Sequence, residues 1–179
     1  MTLVLVDLLP PNGAENPSGL ATMHGVALLP DFLTLQAADD LATVGATKDT
    51  IGSISAAHVF NTGKCMTKIY GTENMGDVTD AVVGSPDSQG GKITVTLMCP
   101  GLTSDRQFMK RMLNSAVGIL FTTQADGQVL QHGSELFPCH FKVSWKSDKN
   151  EGYRGYTIEA SCYGNSVIYT PGLNFTPAA

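Results

Sequence analysis

The stretch Phe137-Pro138-Cys139-His140-Phe141-Lys142-Val143-Ser144-Trp145 decides the fold. Phe137, Cys139, Phe141, Val143 and Trp145 fall at every second position, with Pro138, His140, Lys142 and Ser144 between them. Successive side chains of an extended chain point to opposite faces, so the pattern predicts a strand buried on one side and open on the other. Downstream, Ser147 to Gly152 (SDKNEG) reads as a hairpin turn. Tyr153 to Tyr163 then returns with Tyr156, Ile158, Ala160 and Cys162 on one face. Upstream, Lys92 to Cys99 (KITVTLMC) alternates in the same way, with Ile93, Val95, Leu97 and Cys99 together, and Pro100-Gly101 ends it. Val117 to Thr123, a turn at Ala125-Asp126-Gly127 and Gln128 to His132 make a further hairpin.

Between these strands lies one clear helix, over residues 104–116. Ser104 and Gln107 have capping-box spacing. Phe108, Met109, Met112, Leu113 and Ala116 share a face at helical spacing. That face is expected to pack on the sheet, with Arg106, Lys110, Arg111 and Asn114 turned away. Weaker strand patterns occupy Ala21 to Leu29, Lys64 to Tyr70 and Val167 to Tyr169, and Gln36 to Leu41 reads as a helical turn. About seven short strands, one helix and no alternation of strands with helices predict a mainly β chain. The expected architecture is an antiparallel β-sandwich or partly closed barrel with one flanking amphipathic α-helix.

At 179 residues the chain fits one domain, placed at 20–170. An N-terminal arm and loop (1–19) precede it and a C-terminal tail (171–179) follows. The arm holds an apolar run, Thr2 to Leu9, stopped by Pro10-Pro11. It is too short to span a membrane and lacks the basic flank of a signal peptide. The longest irregular stretch is 71–91, with five Gly, one Pro and the acids Glu73, Asp77, Asp80 and Asp87. A loop of that length is usually functional or laid against a partner, so these four residues mark an expected assembly loop. Val78 to Val83 can pair within it as a hairpin arm.

Composition points the same way. Charged residues are 15% of the chain against roughly 25% in an ordinary soluble domain, as expected where much of the surface meets protein. The net charge of −5 divides into −7 over residues 1–90 and +2 over 91–179, with no basic footprint for gripping nucleic acid.

Signals of chemistry are sparse. His24, His58, His132 and His140 stand apart, with no HxxxH, HExxH or HxH pattern. Cys65, Cys99, Cys139 and Cys162 show no CxxC spacing and read as reduced, buried thiols, one or two disulfides being the alternative. GxxxxGK[ST], GxGxxG and GxSxG are absent, and Asp39-Asp40 reads as a solvated turn. The chain is expected to be no enzyme, with no catalytic residues, cofactor or metal. A carbohydrate-binding sandwich, using Tyr153 and Tyr156, and an enzyme whose site only the fold assembles are the other classes.

The order of elements resembles structural proteins of tailed bacteriophages, particularly tail-tube (major tail) proteins. The resemblance rests on His58 to Lys64, then Met66-Thr67-Lys68-Ile69-Tyr70-Gly71-Thr72, then the acidic loop ending Val83-Gly84-Ser85-Pro86-Asp87. It continues through the Lys-Ile-Thr-Val strand, the Cys99-Pro100-Gly101 break, the helix, Asp126-Gly127, Gln131-His132-Gly133, Gly155-Tyr156-Thr157 and Ile168-Tyr169-Thr170. It implies a β-sandwich with one helix, located in a virion, whose copies form stacked hexameric rings around a lumen through which the genome passes. The implied partners are copies of itself and other virion proteins, with no membrane. The acidic loop would bridge rings. Residues before Gly19 do not match, and fit an arm of another virion part: neck, tail terminator, baseplate or head decoration.

Overall fold

A computed structural model describes residues 19–73, 75–87, 89–147 and 154–179. The expected N-terminal arm, except Gly19, and the SDKNEG turn, except Ser147, lie outside the described residues.

The chain is mainly β. Its strands are β1 (Met23–Leu28), β2 (Phe32–Thr34), β3 (Ser53–Ile54), β4 (Val59–Phe60), β5 (Thr67–Tyr70) and β6 (Asp77–Val83), followed by β7 (Gly90–Pro100), β8 (Val117–Thr123), β9 (Val129–His132), β10 (Cys139–Ser147), β11 (Arg154–Tyr163) and β12 (Val167–Tyr169). The main sheet runs β3-β12-β9-β8-β10-β11-β7-β6, with β1 branching from β8 and carrying β5. All its pairs are antiparallel except β3 with β12, and the sheet does not close into a barrel. β2 and β4 form a separate ribbon. Several of the twelve strands are only two to four residues long, too short for alternation to register, which is why about seven were expected.

The sheet branches at β8, and β8 is buried on both faces. Leu120 joins one core with Val26, Ile69, Leu97, Val143 and Ile158, so the β1, β5 and β8 layer faces the β10-β11-β7 layer in a sandwich-like arrangement. Ile119 and Phe121 point the other way into a second core with Ala27, Ile54, Phe60, Met66 and Tyr169. The segment after β12 closes that second core with Leu173, Phe175 and Ala178. Backbone bonds from Met66 N to Asn174 O and from Ala178 N to Lys64 O hold it, so the C-terminal tail packs as a cover. β1 can lie against β8 because residue 118 is glycine: a Cβ there would run into the Ala27 carbonyl.

Four expectations need correction. Residues 36–41 hold no helical turn; the first α-helix is α1 (Lys48–Gly52), capped by Thr47 and Thr50 in a reciprocal box. Residues 71–91 are not one loop: the hairpin arm expected at Val78 to Val83 is present as β6, which pairs along β7 from Asp77↔Thr96 to Val83↔Gly90. The main helix, α2 (Ser104–Leu113), is capped by the Thr103 side chain, which accepts from Arg106 N. It is also rotated from the expected orientation. Leu113 and Met109 face the core, whereas Phe108 is 62% exposed and Met112 is exposed too. Arg106 and Lys110 line the side toward the sheet. Long aliphatic stems cover apolar surface while their charged heads stay at its rim, so polar residue type misread that side of the helix. Among the alternating residues of β10, the terminal apolar ones, Phe137 before it and Trp145 near its end, are exposed beyond the reach of the core.

Candidate functional site

The strongest candidate is an open sheet face that ends in an unpaired edge. Antiparallel pairing puts directly opposed side chains on one face, so the register defines rows across β6, β7, β11 and β10. One row is Asp77, Thr96, Glu159 and Lys142; the next is Thr79, Thr94, Ser161 and His140. A third holds Met98, Thr157 and Ser144. Short hydroxyl side chains dominate, and the ion pair Lys142 Nζ–Glu159 Oε2 at 3.6 Å crosses the first row. At the Lys92 end of the face, Leu136, Phe137 and Tyr163 rim a hollow with His140 and Lys92. Thr94, Thr96, Thr157 and Ser161 are thus face residues of interior strands.

The two sides of this face are finished differently. Beyond Cys139 and His140, β10 leaves β8, and α2 meets its free side. There Asn114 Nδ2 donates to Val143 O at 3.0 Å and Val143 N donates to Asn114 Oδ1 at 2.6 Å. Such pairing satisfies an edge that would otherwise invite another strand. The far side ends in β6, which has no strand beyond it among the described residues. Of its seven residues only Val78 and Val83 are even half-buried, and Val82 is 73% exposed.

The four acids of the expected assembly loop share this hairpin but not one surface. Asp77 lies on the open face beside Thr96, and Asp80 opposes Ile93 on the core side, accepting from Ser166 N at 3.4 Å. Glu73 precedes β6, and Asp87 sits in the turn to β7. Their spacing of three to seven residues gives no hint of this division, because strand pairing over Val78 to Val83 is only one option the sequence offers for that stretch.

The histidines that stand apart in sequence are not all solvated. His24 and His132 are fully buried, and His58 nearly so. Thr123 N donates to His24 Nδ1 at 3.2 Å, and Gln36 N donates to His58 Nδ1 at 3.1 Å. Both rings are therefore fixed as neutral imidazoles with the proton on Nε2. His58 Nε2 meets Gln131 Oε1 at 2.8 Å, and its ring stacks on Tyr169 at 4.6 Å. His132 sits between Thr122 Oγ1 and Ser166 Oγ. Burial lowers all three pKa values from 6.5, to about 4 for His24 and His132. These residues tie β1, β8, β9 and the 58–60 segment together. His140 remains exposed, as its strand position implies.

All four cysteines are free; Cys99, Cys139 and Cys162 are buried and Cys65 is partly so. Cys99 Sγ donates to Tyr70 O, and burial pushes its pKa up to about 11, away from nucleophilic use. Among the described residues no three His, Cys, Asp or Glu side chains are grouped to hold a metal ion, and no helix is long and apolar enough to cross a membrane.

No protein-family model, curated protein or solved structure matches the chain.

Proposed function

We propose that the chain is a non-catalytic structural subunit that assembles with copies of itself, as the tail-tube-like resemblance implies: a ring-forming component of a tailed-phage virion, with the genome passing through the lumen. The observation that carries the reading is the unpaired β6 edge, continuous with a hydroxyl-rich face that no described element covers. Isolated domains blunt such edges with lysine, proline or covering segments. β6 carries no lysine or proline; its two charges are Asp77 on the open face and Asp80, which accepts from Ser166 N, and the opposite side of its layer meets Asn114 at Val143. The pairing geometry supplies backbone hydrogen bonds, and side chains such as Val82 and Thr79 supply selectivity, as in other strand-addition contacts.

The test is a paired substitution, Thr79→Lys with Val82→Lys. Both side chains are exposed in the monomer, so the change should leave the melting transition within about 0.5 kcal/mol of the parent. Two like charges on the edge should stop subunits from associating, read by light scattering at concentrations where the parent assembles. Normal assembly by the variant would remove β6 from the interface.

A further inference from the structure

The groove beneath α2 carries an inference independent of how copies assemble. It encloses about 260 Å³ between the helix and the sandwich. Its walls are mostly apolar, including Met23, Ile69, Met109 and Val143, and three cations line it: Lys68, Arg106 and Lys110. No acid lines it, and among the described residues none of the three cations has a carboxylate within 4 Å. Lys68 Nζ lies over the Phe175 ring, 5.0 Å from its centroid, which leaves Arg106 and Lys110 as the cations of the groove without a described partner. An apolar groove guarded by such positive charge fits an occupant that is itself apolar and carries one negative group.

A segment of that description lies outside the described residues. Thr2 to Leu9 (TLVLVDLL) has six aliphatic residues and a single charge, Asp7. The described chain resumes at Gly19, and Met23, four residues on, already lines the groove. The stretch from Leu9 to Gly19 reaches up to about 33 Å when extended, so the linkage does not restrict access. We propose that Thr2–Leu9 docks in this groove, with aliphatic side chains against Ile69, Met109 and Val143 and the Asp7 carboxylate at Arg106 and Lys110. The groove has room for a few aliphatic side chains, so only part of the segment enters it. Sequence reading missed the site because Arg106 and Lys110 look like a solvated helix face.

Methionine methyl NMR tests this directly, since Met23 and Met109 line the groove while Met66 lies in the second core. Deleting residues 2–9 should move the Met23 and Met109 resonances and leave Met66 in place. Asp7→Lys, which keeps the full chain, should move the same two resonances in the same direction. A synthetic Thr2–Leu9 peptide added to the deleted protein should restore them. It should bind about tenfold more weakly when Lys110→Glu is present, and a peptide with Asp7→Lys should recover that loss. Unchanged Met23 and Met109 resonances on deletion would overturn the proposal. So would displacement of both resonances in the intact chain by dodecanoate, which would show a groove open to any anionic amphiphile.

Discussion

Leu113→Asp is expected to abolish folding, while Phe108→Asp leaves a cooperatively melting protein. The two residues lie five apart on one short helix, and sequence periodicity puts both on its buried face. In the folded chain Leu113 is 1% exposed within the sandwich core, whereas Phe108 is 62% exposed. An unpaired carboxylate at position 113 loses its hydration without gaining a donor, at a cost of several kcal/mol. That is comparable with the whole stability of a domain, about 5–15 kcal/mol. At position 108 the carboxylate stays in water, and the change should lie within about 0.5 kcal/mol. Circular dichroism melts of the two variants decide the matter. A cooperative transition for Leu113→Asp would mean that the helix is not docked through it, and loss of structure in Phe108→Asp would return the helix to the orientation its sequence suggests.

The second large effect is acid lability centred on the buried histidines. A histidine whose folded pKa is lowered binds its proton in the unfolded chain first, so stability is complete above pH 6.5 and lost as pH falls toward 4. His24 and His132 are each held down to about 4, chiefly by burial, and for His132 also by repulsion from His24. His58 is shifted in the same direction. Each proton contributes a slope of about 1.4 kcal/mol per pH unit, so His24 and His132 together should remove several kcal/mol before pH 4.5. Protonating His24 or His58 at Nδ1 would also set the ring against a backbone N–H that now donates to it. Urea unfolding midpoints measured from pH 7.5 to 4.5 should fall steeply, and His132→Gln should flatten the slope by about one proton. A midpoint constant over that range would contradict the burial of these rings.

The elements readable from sequence are those with enough length for a period to register. β7 and β11 alternate over eleven and ten residues and show their buried faces in the sequence, because each lines one side of a single core; β10 does so at Cys139, Phe141 and Val143 but not at Phe137 and Trp145. β8 was found as a strand, but its burial on both faces comes from the branch there, which no local pattern records. β3, β4 and β12 are two or three residues long and hold their places through β9, the C-terminal cover and the second core. The helix is legible in the sequence but its orientation is not, because Arg106 and Lys110 line the side toward the sheet while Phe108 does not bury its ring. At the candidate site, the acids of 71–91 were singled out as scattered charge. The feature that carries the functional reading is the backbone edge of β6, which is defined by what does not pair beyond it among the described residues. His24, His58 and His132 looked solitary because their partners, Thr123, Gln131 and Ser166, are brought to them only by folding.

Self-assembly is tested most directly on the unmodified chain, by sedimentation velocity over a hundredfold range of concentration followed by negative-stain microscopy of the heaviest species. The expected result is a concentration-dependent shift from monomer to discrete rings or stacked rings, and its loss in the protein carrying Thr79→Lys and Val82→Lys. A single monomeric boundary at every concentration, with no ordered particles on the grid, would contradict the account.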